Sequence, residues 1–361
     1  MHLEMPVSVW DEDQCVKMHA ADLARLGTKA LLVTGRHSAK ACGALDDVTD
    51  ALSQHRISWT LFNEIEENPS VETILSAREK GLADGADFVI GIGGGSAMDA
   101  AKAIALLMRH PEEDGAALYD SESPSDALPV AAVPTTCGTG SEVTPVAVLT
   151  RHDKETKQSI SHRIFPALAL IDGRYLESAP LSLIRNTAVD AIAHLFESAV
   201  NAKSTPLSRM FVDAGLREWA NNRAFLESGD HELASWSGLM RASAMAGMAI
   251  AQTGTSLPHG FSYPITYRIH MAHGRACGYF EAGYLREASA GLRDELLTLA
   301  GFRSLDDWQS FYRTVCGPDP LPDEELEHAV DVLAGNPAKL AAAPFAVDRE
   351  TLHRIAFFGR K

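Results

Sequence analysis

With 361 residues, 46% of them hydrophobic, the chain is long enough for two domains of ordinary size. A formal net charge of −16 argues against nucleic acid or an anionic membrane surface as partner, since both attract basic patches. There is no apolar run of the roughly eighteen residues needed to span a bilayer, and Met1 to Trp10 lacks the basic-then-apolar pattern of a signal peptide. Cys15, Cys42, Cys137, Cys277 and Cys316 form no CxxC pair, which fits free thiols in a reducing cytoplasm.

In chain order, Lys29 to Thr34 reads as a buried strand ending at Gly35. A helix follows through Leu52, with Ala44, Leu45, Val48 and Leu52 on one face. Ser58 to Phe62 is a second strand, and Ser70 is a candidate N-cap for a helix to Ala83. A third strand, Phe88 to Ile92, runs into Gly93-Gly94-Gly95-Ser96 and a helix from about Ala97 to Arg109. Val130 to Val133 is the next strand, Val146 to Thr150 and Gln158 to Ser161 read as a hairpin, and Leu168 to Ile171 is the last strand. Short apolar runs alternating with helices predict an open parallel sheet covered on both faces. After Pro180 the pattern becomes helical and no strand is expected. The predicted organisation is therefore an α/β domain over 1–179 and an all-α domain over 180–361.

Two strand ends carry loops suited to a nucleotide. Gly91-Ile-Gly93-Gly94-Gly95-Ser96 lets backbone approach a phosphate at a helix N-terminus, where N–H groups are unpaired. It is not G-x-G-x-x-G, because Ser96 stands at the third glycine. Pro134 to Thr144 offers the hydroxyls of Thr135, Thr136, Thr139, Ser141 and Thr144 to a phosphate, a ribose or their own backbone. The end of the first strand, Gly35-Arg36-His37-Ser38-Ala39-Lys40, holds a glycine, a hydroxyl and two permanent cations instead of the carboxylate that would select NAD(H). Gly35, Ser38 and Lys40 thus predict NADP(H) over NAD(H), unless Arg36 and Lys40 are simply solvated charges.

In the second half, Asp190 and His194 are four apart on a helical pattern, on the same face. His259 to His273 holds three histidines in an apolar and aromatic surround. Imidazole with carboxylate suits iron, zinc or nickel. The set Asp190, His194, His259 and His273, with its last pair 14 residues apart, resembles the metal site of the iron-containing (group III) alcohol dehydrogenases. Gly93 to Lys102 resembles that family's pyrophosphate loop, including Gly94, Gly95, Ser96, Asp99 and Lys102. Pro134-Thr-Thr-x-Gly-Thr-Gly-Ser-Glu-Val-Thr144 is close to a second family signature. The resemblance covers about residues 5 to 355.

The resemblance implies that Thr135, Thr139, Thr144, Val148, Lys157 and Asn68 line the cofactor. It further implies a divalent metal, iron(II) foremost with zinc or nickel as alternatives, and an active site in the cleft between the domains. The implied activity is a metal-dependent alcohol dehydrogenase or aldehyde reductase, in which the metal acts on the substrate oxygen while nicotinamide C4 exchanges a hydride. Family members often form dimers, so a homodimer is the expected assembly. Many members have a histidine four after the third ligand; here Tyr263 stands there, either a proton donor or a pocket wall bonded to a carbonyl. Arg268 and His270 predict an anionic substrate if they project into the cleft and a short neutral aldehyde if solvated, which is the commoner fate of basic side chains. A dehydroquinate synthase-like lyase is the rival, but the segment Ala188 to Ser198 has none of the basic residues its substrate needs. A non-catalytic nucleotide-binding relative is the third reading, and the complete ligand set argues against it.

Overall fold

The computed structural model describes residues 2–154, 156–318 and 321–360. It divides into two compact units: Met5–Thr136 with Gly140–Ala179, and Met1–Glu4 with Cys137–Thr139 and Pro180–Lys361.

The first unit is a parallel sheet of six strands: β1 Ser8–Asp11, β2 Lys29–Thr34, β3 Ser58–Phe62, β4 Phe88–Gly93, β5 Val130–Pro134 and, beyond a hairpin, β8 Leu168–Ile171. The spatial order is β1-β8-β5-β4-β2-β3. The hairpin pairs β6 Val148–Arg151 with β7 Thr156–Ser159. Alternation along β2 sends Leu31 and Val33 to one apolar core and Ala30 and Leu32 to the other, so both faces are buried. The edge strands are shorter in burial: β3 is buried only at Phe62, and β1 exposes Ser8 and Trp10. Register pairs Thr34 with Ile92 and Gly93 with Pro134, so β2, β4 and β5 end side by side. That carboxyl edge is where open α/β sheets take ligands.

Two details depart from the sequence reading. The helix after β2 is two pieces, Ser38–Ala41 and Ala44–Gln54, because the chain turns left-handed at Gly43 (φ 86°). Strand β1 carried too short and too mixed a pattern to be anticipated; it pairs in parallel with β8 at the sheet edge.

The second unit is helical, with no strand among the described residues. Its central helix, Leu181–Val200, is buried continuously from Ala188 to Val200. Helices Pro206–Ala220, Trp236–Thr253 and His273–Glu287 pack against it. Trp219 anchors one of these contacts, its indole N–H donating to Ala188 O at 2.7 Å. No helix among the described residues is long and apolar enough to cross a membrane.

Candidate metal centre and dinucleotide loops

Three helices of the second unit supply the predicted metal ligands. Asp190 and His194 lie one turn apart on Leu181–Val200. His259 sits in the first turn of Leu257–Ile269, and His273 opens His273–Glu287. Gly274 lets the last helix close in: a Cβ there would collide with Asn186 O and Asp190 Cβ. Only glycine permits that approach.

The donor atoms converge. Asp190 Oδ1 lies 3.5 Å from His259 Nε2 and 3.7 Å from His273 Nε2. With Cys277, these residues form a group whose ligand atoms are all within 4.8 Å of one another. His194 stands outside that group, its ring stacked on His259 with centroids 4.3 Å apart. Its Nδ1 faces Gly138 O at 3.3 Å; donation there leaves the Nε2 lone pair for a ligand. His259 is oriented in the same way, because Nδ1 bonds the Glu197 carboxylate. The other Glu197 oxygen accepts Ser256 N–H at 2.5 Å. Asp190 Oδ1 and His259 Nε2 are buried and without a hydrogen-bond partner.

The charge states differ among these residues: burial disfavours a proton on His259, yet Cys277, Glu197 and Asp190 raise its pKa well above the ordinary value, whereas His194 and Asp190 already stand in the form a metal takes. Burial pushes the His194 pKa down to about 4 against the pull of Asp190, so the imidazole is neutral. Burial also works against the Asp190 carboxylate, yet His194, His273 and His259 hold its pKa well below the usual range. A carboxylate and imidazoles, two of their atoms orphaned and desolvated, form a donor set that fits a divalent transition metal.

Tyr263 lies beside this group, its ring parallel to His273 at 6.1 Å and 5.6 Å beneath the Lys339 ammonium. Arg268 does not reach toward it. Its guanidinium bonds both oxygens of Glu325, at 2.7 and 3.1 Å, and is 42% exposed. His270 caps the same helix in a left-handed conformation and is exposed.

In the first unit, Gly94 is the N-cap of helix Gly95–Arg109 and, being glycine, supplies no side-chain cap. Ser96 Oγ accepts from Asn68 N–H at 3.1 Å, and Asn68 Oδ1 accepts from Lys157 Nζ at 2.7 Å. Thr135 N–H bonds Gly93 O at 2.9 Å, and a Cβ on Gly94 would lie 3.1 Å from Thr136 Oγ1, so the two loops are in register. Asp99 and Lys102 hold them from below. Lys102 Nζ, fully buried, donates to Ser141 Oγ, Val146 O and Thr144 Oγ1 at 2.7, 2.8 and 3.4 Å. Asp99 accepts from Ser141 Oγ at 2.5 Å and from Val148 N–H at 2.8 Å. Thr139 falls in the short segment that belongs to the helical unit.

Gly35, Lys40 and Arg36 line a cavity of about 340 Å³ with Trp59, Asn63 and Asp46. Ser38 is exposed beside it. Asp46 bonds Lys40 at 2.5 Å, so one of the two cations already has a carboxylate partner. The sequence reading counted no acid here because Asp46 arrives from the following helix.

Comparison with known proteins accounts for the pattern. Residues 6–173 match iron-containing alcohol dehydrogenase, and residues 184–289 match the Fe-containing alcohol dehydrogenase family, C-terminal. The chain belongs to the iron-containing alcohol dehydrogenase family. A solved iron-containing alcohol dehydrogenase from Thermotoga maritima is 34% identical, with a TM-score of 0.91 over 99% of this chain and 98% of that one. Sulfoacetaldehyde reductase from Bilophila wadsworthia is 31% identical over 72% of this chain and 67% of that protein. The probable alcohol dehydrogenase EutG of Escherichia coli K12 is 30% identical over 69% of this chain, a match that spans 64% of EutG, just under two thirds of its length.

Sequence reasoning passed over Glu197 and Cys277. Glu197 is seven after Asp190, and Cys277 is four after His273, so helical spacing from the ligands could have found both.

Proposed function

We propose that this chain is a metal-dependent alcohol dehydrogenase or aldehyde reductase, exchanging a hydride between NADP(H), preferred over NAD(H), and a small alcohol or aldehyde. The observation that carries the reading is the pair of buried, unpartnered atoms Asp190 Oδ1 and His259 Nε2, within 4.8 Å of His273. Asp190, His194, His259 and His273 would hold one divalent ion, iron(II) first, with zinc or nickel as alternatives. When bound, the ion supplies Lewis-acid polarisation of the substrate oxygen. Glu197 and the Gly138 carbonyl accept hydrogen bonds from Nδ1–H of His259 and His194, so that each ring turns its other nitrogen inward.

Gly94, Gly95 and Ser96 are assigned to the pyrophosphate, with Thr135, Thr136, Thr139, Thr144, Val148, Lys157 and Asn68 around the rest of the dinucleotide. Gly35, Ser38 and Lys40 are assigned to the adenosine end. The cavity at the end of β2 holds two cations against one carboxylate, which supports a 2′-phosphate. Tyr263, stacked along His273, is assigned to the substrate pocket as its wall and as the candidate proton donor. The engagement of Arg268 with Glu325 supports a short neutral aldehyde over an anionic one.

The deciding experiment is oxidation of NADPH and NADH by metal-loaded protein across short aldehydes, neutral and anionic. Turnover with a neutral aldehyde and NADPH is the expected result. A protein carrying one ion per chain that reduces no aldehyde sinks the reading. Gly35→Asp should weaken NADPH more than NADH, by about 1.5–3 kcal/mol for a lost charge-assisted contact; an equal response of both removes the β2 end from cofactor choice.

A further inference from the structure

The five cysteines are not alike. Cys15 donates to Trp10 O at 3.4 Å, Cys42 to Ala39 O at 3.6 Å and Cys316 to Asn186 Oδ1 at 3.8 Å. Cys137 lies 3.3 Å from Thr187 Oγ1. Each of these thiols thus points at an oxygen. Cys277 instead turns to the His273 ring, with Sγ 3.7 Å from Nε2 and 3.9 Å from Nδ1. It is fully buried, one helical turn after His273, and its sulfur lies within 4.8 Å of the ligand atoms of Asp190, His259 and His273. Two of those neighbours, Asp190 Oδ1 and His259 Nε2, are themselves buried without a hydrogen-bond partner and lie 3.5 Å apart.

We propose that Cys277 is an additional ligand, giving a thiolate to the ion held by Asp190, His259 and His273. The inference rests on the metal reading above and adds a donor to it. On binding, the thiol proton leaves to solvent and the sulfur lone pair bonds the ion. The chemical consequences are two. A soft donor shifts preference toward zinc and cobalt and away from manganese and magnesium. A second anionic donor also makes the site formally neutral with a divalent ion, where the carboxylate alone would leave it one positive charge. A neutral centre withdraws less electron density from a substrate oxygen.

X-ray absorption of the zinc-loaded full-length protein tests this without reference to activity. A sulfur shell at about 2.3 Å should accompany a nitrogen and oxygen shell at about 2.0–2.2 Å. The cobalt-loaded protein should show a thiolate-to-metal charge-transfer band in the near ultraviolet. Cys277→Ser should abolish both signals while keeping one ion per chain, and should weaken zinc at least roughly tenfold more than manganese. Cys137→Ser and Cys316→Ser, which remove the other two thiols of the helical unit, should retain the sulfur shell; this pair leaves Cys277 as the one thiol in the unit that carries the ligands, even if Cys277→Ser does not fold. Bound zinc with only a nitrogen and oxygen shell overturns the thiolate and leaves the metal reading standing. A sulfur shell that survives in Cys277→Ser, or disappears in either control, also overturns it. Wild-type protein that binds neither zinc nor cobalt ends both.

Discussion

Two of the buried charged groups among the described residues, Lys102 with Asp99 in one unit and Asp190 with His259 in the other, are built in opposite ways. Around Lys102 the circuit is closed. The ammonium has three oxygen acceptors, and Asp99 accepts from Ser141 Oγ and Val148 N–H. Around Asp190 the circuit is open, because Asp190 Oδ1 and His259 Nε2 are desolvated and have no hydrogen-bond partner, standing 3.5 Å from each other. Burying a polar group without a partner costs free energy unless something completes it. In the first group the chain supplies its own cation; in the second, the proposed metal ion would be the partner that the inward-turned lone pairs lack.

Substitutions can break that contrast. The largest effect is expected in the open group: His259→Ala should lose most bound metal and lower kcat/KM roughly a thousandfold, about 4 kcal/mol. Elemental analysis checks it, and full occupancy in the variant would remove His259 from the ligands. In the closed group, Lys102→Met should leave Asp99 buried without its cation and destabilise the fold by about 3–5 kcal/mol in denaturant titrations. A variant as stable as wild type would show that Lys102 is not what holds the two loops.

The pH dependence sharpens the comparison. Glu142, buried near Lys102, has its pKa raised to about 7 by loss of hydration, against a weaker pull from Lys102. A raised acid binds its proton better in the folded state. Its contribution is therefore complete below the ordinary value of 4.5 and is lost as pH rises through about 7. Wild type should lose up to about 3 kcal/mol across that window; Glu142→Gln should not, and parallel pH–stability curves for the two proteins would refute the assignment. The smallest effect is expected at Glu197→Gln. It retains an acceptor for His259 but no charge, and should weaken metal binding about tenfold to a hundredfold. Isothermal titration with zinc measures it, and an unchanged affinity would make the Glu197 contact incidental.

Much of this was legible because the chemistry lies in short motifs. The i, i+4 pair Asp190 and His194 declares its own geometry once the helix is recognised. The parallel sheet follows from the near-continuous burial of strands such as Phe88–Gly93, and the glycine turn at its end needs no distant information. What escaped depends on contacts across the sequence. Cys277 reads as an ordinary small core residue until His259 is brought beside it. Asp46 reads as a first-turn helix acid until Gly43 breaks the helix and its carboxylate meets Lys40. Strand β1 is recognisable only from its register with Leu168 to Ile171.

Gly274 has no side chain and no chemistry, yet it bears on the geometry of the proposed metal site. It lies against the Asn186 carbonyl and Asp190 Cβ, next in sequence to His273. The distance between the His273 imidazole and the Asp190 carboxylate is thus set by backbone meeting backbone, not by flexible side chains finding a compromise. Such a gauge is stiff. An ion that needed the two helices farther apart would have to displace backbone as well as side chains. Size discrimination would then reside in a residue that never touches the metal.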